Sequence, residues 1–159
     1  MESASLALAA RIVVAAALLV AALQKLRAHR RLTGELAGFG VPTGLATPAA
    51  VVLPAVELVT AVALVVFATS AAPAYVALGL LAVFTGAVLA NLAQGRHPPC
   101  PCFGATSSTP VSTMTVVRNG WLLALAVLAT GSAEGADAWP VLAWTVALGA
   151  VTALLVARS

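Results

Sequence analysis

The chain has 159 residues, of which 62% are hydrophobic and only 8% are charged, whereas about 25% of the residues in an ordinary soluble domain are charged. Its mean hydropathy is +1.06, so most of its outer surface must be apolar, which a lipid bilayer accommodates and water does not. This composition excludes a soluble enzyme domain, a nucleic-acid-binding protein and a disordered chain. The net charge of +3 comes from basic residues at the ends of apolar stretches, where they indicate topology.

Five apolar segments between the charged residues are long enough to cross a hydrocarbon core, which needs about 20 residues of helix. They predict one all-α integral membrane domain over residues 1–159, a polytopic helical bundle with four to five transmembrane helices. Abundant Ala, Gly, Ser and Thr allow the helices to approach closely. The predicted spans are residues 6–26, 47–68, 74–92, 111–128 and 139–156.

We expect the first segment to be a membrane span rather than a cleaved signal peptide. Its leading charge is Glu2 instead of a basic region, and a basic flank typical of a stop-transfer sequence follows it. Arg11 lies about one turn inside the segment and is expected to extend to the lipid headgroups. The flanking basic residues are Lys25, Arg27, Arg30 and Arg31.

The second segment carries Glu57 near its middle, where a carboxylate costs about 2.5 to 3.5 kcal/mol or more unless it is paired or protonated. The second and third segments form a predicted hairpin, which puts the basic loop 25–46 and the loop before the fourth segment on one side of the membrane. Measured from that side, Glu57, Arg118 and Lys25 lie at depths that allow them to meet. Together with Asn119, these three residues predict a polar pocket. The alternative is that Glu57 has only a structural role and bonds two helices to each other.

The loop at residues 94–110 contains both cysteines of the chain, Cys100 and Cys102. Thiols one residue apart close a small, strained ring, so their disulfide is suited to exchange rather than to stabilising a fold. Pro101 and the prolines before Cys100 prevent helix formation and present the thiols on a stiff backbone, and Gly104 allows the chain to turn away. The alternative is that both cysteines are simply small apolar residues without a chemical role.

A metal site at this loop is a further alternative, since His97, Cys100 and Cys102 are soft ligands for Cu(I) or Zn. The chain has no other cysteine and only one other histidine, so a closed four-ligand site is difficult to assemble, and we expect no metal.

The fourth segment begins at Thr109-Pro110, which resembles an N-cap followed by a proline in the first helical turn. The positive end of this helix, together with Arg118, would then lower the pKa of a cysteine thiol in the loop. Two tryptophans, Trp121 and Trp139, are expected to lie at membrane interfaces.

The distribution of Lys and Arg places the N-terminus outside and the cysteine loop on the cytoplasmic face of a plasma or inner membrane. A proton-coupled transporter that uses Glu57 is a competing interpretation. It has little support, because the chain shows one intramembrane carboxylate and no inverted repeat.

Several of these residues together resemble the MauE family of methylamine utilisation membrane proteins, which is related to the broader DoxX-like family. The resemblance covers about residues 6–130. Its most specific part is the loop motif with the Arg118-Asn119 pair that follows it. The matching stretches are Ala-Leu-Gln-Lys25-Leu, Pro54-Ala-Val-Glu57-Leu, Cys100-Pro101-Cys102-Phe103-Gly104 and Arg118-Asn119.

The resemblance implies a redox-associated membrane protein that helps to mature the disulfide-rich small subunit of methylamine dehydrogenase alongside a thioredoxin-like partner. Cys100 and Cys102 would be the thiol pair, accompanied by Glu57, Arg118 and Asn119. The DoxX-like relationship suggests an alternative, a quinone-linked oxidoreductase subunit whose polar pocket holds a quinone as the possible cofactor. The sequence specifies neither the oligomeric state nor the electron donor and acceptor.

Overall fold

The computed structural model describes residues 2–98 and 110–158. All regular structure in this part of the chain is helical, which confirms the predicted all-α bundle. The helices are α1 (Glu2–Arg27), α2 (His29–Gly38), α3 (Thr43–Val66), α4 (Ala72–Ala93), α5 (Thr113–Leu128) and α6 (Ala138–Ala157).

Four of these helices, α1, α3, α4 and α6, are long and apolar enough to cross a membrane. The helix α5 has 16 residues and is about 24 Å long at 1.5 Å per residue, which is shorter than a hydrocarbon core of about 30 Å. Its crossing of the membrane, and with it the five-span topology, stays a prediction.

The first helix is the centre of the bundle and contacts α2, α3, α5 and α6. Its contact face is built largely from alanine, including Ala9, Ala10 and Ala22, which are fully buried. Small side chains let helix backbones approach closely, so van der Waals packing can hold the helices together in lipid. The hydrophobic effect provides no driving force for helix association there. The remaining contacts place α4 against α3 and α5, α2 against α3, and α6 against α5.

The outer surface of the bundle is apolar. Val59 on α3, Val83 on α4 and Trp139 on α6 are 67%, 70% and 79% exposed. Such a surface is unfavourable in water and matches the interior of a bilayer. The exposed position of Trp139 also fits an interfacial tryptophan, whereas Trp121 is partly buried and its indole N–H donates to Thr152 Oγ1 at 3.0 Å.

The segment predicted as a basic loop over residues 25–46 contains the short helix α2. This helix is amphipathic: Leu32 is fully buried, while Arg30 and Arg31 are exposed. Gly40, at a φ of +91°, makes the turn from α2 to α3 in a conformation that favours glycine. Hydrophobic packing of Leu32, rather than the local polarity, accounts for the helix.

Arg11 does not extend to the headgroups as expected from the sequence. Its side chain is fully buried, and it donates to the carbonyl oxygens of Ser70 at 2.7 Å, Gly131 at 3.1 Å and Phe67 at 3.4 Å. Phe67 and Gly131 follow the C-termini of α3 and α5, where carbonyl groups lack helical partners and carry partial negative charge. Arg11 therefore joins three parts of the chain at the end of the bundle opposite α2.

Candidate functional site

The interior of the bundle contains an ion pair between α1 and α3. Lys25 Nζ in the last turns of α1 donates to Glu57 Oε1 near the middle of α3. The side chains of Lys25 and Glu57 are 3% and 0% exposed. The structure thus brings together two of the predicted site residues, one from each of the first two long helices.

An aromatic ring completes the surroundings of this pair. Lys25 Nζ lies 4.9 Å from the centroid of the Phe84 ring on α4, a distance at which the negative face of the ring attracts the ammonium group. Phe84 is not predicted from the sequence, because its position has no charge or motif to indicate a role. Its spacing of three residues from Leu81, on the buried side of α4, is the available signal.

The two oxygens of the Glu57 carboxylate differ in their hydrogen bonding. Within residues 2–98 and 110–158, no hydrogen bond reaches Glu57 Oε2, although the atom is buried. Glu57 lines a cavity of about 20 Å³ that Lys25, Phe84 and Leu122 also line. A buried carboxylate oxygen without a partner is costly.

Arg118 and Asn119 lie in the second turn of α5, and both side chains are 3% exposed. Leu122, one turn beyond Arg118 on the same face of α5, lines the cavity beside Glu57. The two polar residues are therefore buried in the helix that packs against α1 and α4. The predicted pocket that joins Arg118 to Glu57 stays a prediction.

Of the cysteine loop, the structure describes the two ends, residues 94–98 and 110. Cys100, Pro101, Cys102, Phe103 and Gly104 lie outside the described residues.

The flanks of this loop are hydrogen-bonded to each other. The N–H of Val111 donates to Pro98 O at 3.0 Å, and His97 Nδ1 lies 2.9 Å from Val111 O. Because a carbonyl oxygen only accepts, Nδ1 is the nitrogen that carries the proton in this contact. These two bonds hold the beginning and the end of the cysteine loop together next to α5.

The helix α5 begins later than predicted. Its N-cap is Ser112, whose N–H donates to Thr115 Oγ1 at 3.3 Å as part of a capping box. The predicted cap at Thr109 is wrong for this helix, because Pro110 and Val111 take part in the pairing with the other end of the loop and are not helical. The positive end of α5 still lies directly after the loop.

A larger cavity of about 250 Å³ lies between α2, α3 and α4. Lys25 is at its wall, and every other residue that lines it is apolar. Phe39, just after α2, and Phe84 on α4 both contribute aromatic rings. The cavity is therefore almost entirely apolar.

Glu35, a titratable residue outside the membrane-spanning helices, has a shifted pKa. Burial in α2 raises the pKa of the Glu35 carboxyl group above its usual value, and the nearby positive charge of Arg31 partly opposes this shift. Glu35 Oε2 is buried and receives no hydrogen bond from the described residues. The carboxyl group thus holds its proton more tightly in the folded protein.

Comparison with known proteins identifies the family of the chain. The family model described as methylamine utilisation protein MauE matches residues 3–132. A search of curated proteins and a search of solved structures each found no significant match. The match includes the ion pair, the cysteine loop and all of α5, and it ends before α6. Because it covers well over half of the sequence, the chain belongs to the MauE family of methylamine utilisation membrane proteins.

Proposed function

We propose that this membrane protein carries out thiol–disulfide exchange through Cys100 and Cys102 with a thioredoxin-like partner during the maturation of methylamine dehydrogenase. The observation that supports the proposal is the pairing of Pro98 with Val111, which holds the ends of the cysteine loop at the N-terminus of α5. Cationic surroundings and a helix N-terminus both increase the thiolate fraction of a nearby cysteine.

The exchange balances without a cofactor. A thiolate of the reduced partner attacks the Cys100–Cys102 disulfide, and a mixed disulfide forms while one cysteine of the loop leaves as a thiolate. The second thiol of the partner then attacks the mixed disulfide. The partner leaves oxidised with a new disulfide, and the loop retains two thiols and accepts two electrons and two protons.

The ion pair has a role in this proposal. Glu57 is the carboxyl group through which protons enter and leave the membrane interior as the loop is reduced and oxidised, and Lys25 is its partner in the ion pair. Arg118 and Asn119, buried in α5 beyond the loop, contribute positive potential and hydrogen bonds that favour the thiolate.

The test measures exchange with a defined probe. The oxidised protein in detergent is mixed with a reduced thioredoxin-fold domain, the reaction is quenched with acid, and thiols are counted by the mass added by maleimide. We expect both Cys100→Ser and Cys102→Ser to abolish oxidation of the probe, and one of them to trap a mixed disulfide. Thr113→Ser, an exposed change close to the loop, is the matched control and retains exchange. Normal exchange in either cysteine variant overturns the proposal.

A second measurement determines the membrane face that the loop serves. We infer a plasma membrane location with the loop on the cytoplasmic side, as the distribution of Lys and Arg favours. A membrane-impermeant maleimide, applied after reduction, is expected to label the cysteines in inverted vesicles and not in intact cells. The opposite pattern places the loop and its exchange outside the cytoplasm and contradicts the inferred orientation.

A further inference from the structure

The short helix α2 lies at one end of the bundle, between two helices that are long enough to cross a membrane. It follows α1 after a single residue, Ala28, and packs against α3. The hydrogen bonds of Arg11 to Ser70 O and Gly131 O put the α3–α4 and α5–α6 connections at the opposite end. In a bilayer that α1 and α3 span, α2 therefore lies at the level of the lipid headgroups.

Positive charge is concentrated at the α2 end of the bundle. The opposite end contains Arg11, together with Glu134 and Asp137 in the α5–α6 connection. The α2 end has an excess of exposed arginines over exposed carboxylates. These arginines are Arg27, Arg30, Arg31, Arg96 and Arg158.

Three of these arginines lie within five residues of the chain and form what we call the arginine face: Arg27, Arg30 and Arg31. Arg27 is the last residue of α1, and the other two lie in the first turn of α2. In the part of the chain that the structure describes, none of the three forms an ion pair. The half-buried carboxyl group of Glu35 is near Arg31, so the arginine face keeps a net positive charge.

The arginine face is held in place by the packing of α2. Leu32, the residue after Arg31, is fully buried, and this orients α2 so that the arginines remain exposed. A topology signal requires only positive charge in the connection between two spans. The fixed position of these side chains on a packed helix goes beyond that requirement.

Exposed leucines adjoin the arginine face. Leu26 directly precedes Arg27, and Leu45 lies in the first turn of α3; they are 47% and 60% exposed. Both extend the apolar outer surface of the bundle up to the arginines. A cation just beyond a lipid-facing apolar surface lies where the phosphate groups of lipids are found. This arrangement favours a lipid over a soluble acidic protein as the partner of the face.

We propose that the arginine face binds the headgroups of anionic phospholipids. The guanidinium groups of Arg27, Arg30 and Arg31 donate hydrogen bonds to the phosphate oxygens, while Leu26 and Leu45 contact the acyl chains. Phosphatidylcholine binds less well, because its choline cation cancels the charge of its phosphate. The binding involves neither Cys100 nor Cys102 and does not depend on the thiol exchange proposed above.

The test compares two lipids at the surface of the full-length protein in phosphatidylcholine vesicles. Spin-labelled phosphatidylglycerol or phosphatidylcholine is added in trace amounts, and electron paramagnetic resonance measures the fraction of each label that the protein immobilises. We expect phosphatidylglycerol to associate about threefold more strongly, and salt to reduce this preference. Equal association of the two labels overturns the proposal and leaves the arginine face to an acidic protein. Displacement of the lipid by inorganic phosphate at constant ionic strength also overturns it, in favour of free phosphate.

Gly34 offers a variant that keeps every arginine and so preserves the topology signal. It is exposed on α2 one turn after Arg30 and Arg31, and a Cβ atom added there meets nothing within 4 Å. Gly34→Glu places a carboxylate beside both arginines and is expected to remove most of the lipid preference. Gly34→Gln has the same shape without the charge and keeps the preference. Equal preferences in these two variants overturn the assignment to the arginine face.

A second pair of variants removes arginines directly. Arg30→Gln/Arg31→Gln is expected to lower the preference for phosphatidylglycerol towards that of Gly34→Glu. Arg158→Gln, which removes an exposed arginine beyond α6 at the same end of the bundle, leaves the preference unchanged. If Arg158→Gln lowers the preference as much as the double variant, the effect follows total charge, and the assignment to the arginine face is overturned.

Discussion

Lys25 and Glu57, separated by 32 residues in the sequence, form an ion pair inside the bundle. The pair links the last turns of α1 to the middle of α3, the two helices that pack side by side at the centre of the fold. A pair of opposite charges is far less costly in an apolar interior than either charge alone. Each residue therefore depends on the other, and this dependence can be measured.

Lys25→Met is expected to destabilise the protein by about 3–5 kcal/mol, because it leaves Glu57 buried without its partner. Replacing both residues in Lys25→Met/Glu57→Met restores most of that stability, since no unpaired charge remains. Unfolding of the purified protein by a denaturing detergent measures both changes. A double variant as unstable as Lys25→Met alone would contradict this account of the pair.

Arg11→Met is expected to destabilise the bundle by about 1.5 kcal/mol or more. This value is the lower end of the range that one hydrogen bond to a charged group contributes to stability. The variant removes bonds to three carbonyl oxygens, two in the connection between α3 and α4 and one in the connection between α5 and α6. Arg27→Met, an exposed change in the same helix, is the control and shifts stability by no more than about 0.5 kcal/mol. Equal effects of the two variants would show that the carbonyl contacts do not stabilise the fold.

His97→Ala is expected to slow thiol exchange several-fold without unfolding the protein. The substitution removes the bond between the ring and Val111 O, which helps to hold the ends of the cysteine loop together. His97→Asn, whose amide can donate to the same oxygen, should recover part of the rate. The rate of probe oxidation and the unfolding midpoint are measured on the same samples, with Arg96→Ala as the exposed neighbouring control. If alanine and asparagine variants both exchange at the parental rate, the bond has no role in the reaction.

Glu35→Gln is expected to stabilise the protein at neutral pH and to have little effect in acid. Burial raises the pKa of Glu35 above 4.5, its ordinary value, so the folded protein binds this proton more tightly than the unfolded chain. The resulting stability is complete below the ordinary pKa and is lost as the pH rises through the raised pKa. Gln does not titrate and avoids that loss.

The measurement for this prediction is the unfolding midpoint of parent and variant across the pH range from acid to neutral. Glu134→Gln changes an exposed residue in a loop and is the matched control. A difference between parent and Glu35→Gln that stays constant with pH would exclude the titration of Glu35 as its cause.

Much of the architecture was predictable because long apolar stretches admit few structures in lipid. Backbone groups must be hydrogen-bonded within the segment there, so an apolar stretch of 20 residues becomes a helix. The prediction that Lys25 and Glu57 lie at compatible depths also followed from helix geometry, since the rise per residue converts sequence distance into depth. The structure confirms the helical bundle and shows the pair in contact.

Other features were not predictable from local sequence. Arg11 was expected to extend to the headgroups, yet its partners are 56, 59 and 120 residues away, and no local pattern specifies such distant carbonyl groups. The start of α5 was placed at Thr109 by a cap signal, whereas the pairing of Val111 with Pro98 competes with helix formation there. The helix α2 depends on burying Leu32 against the bundle, which is a tertiary effect.

The sequence by itself determined the membrane environment, the helical class and the family, because composition and short motifs contain that information. Only the tertiary structure decided which charges meet, which carbonyls Arg11 joins, and where cavities remain beside Glu57. Those outcomes depend on how helices far apart in sequence pack against each other, and packing is set by the shapes of many side chains at once.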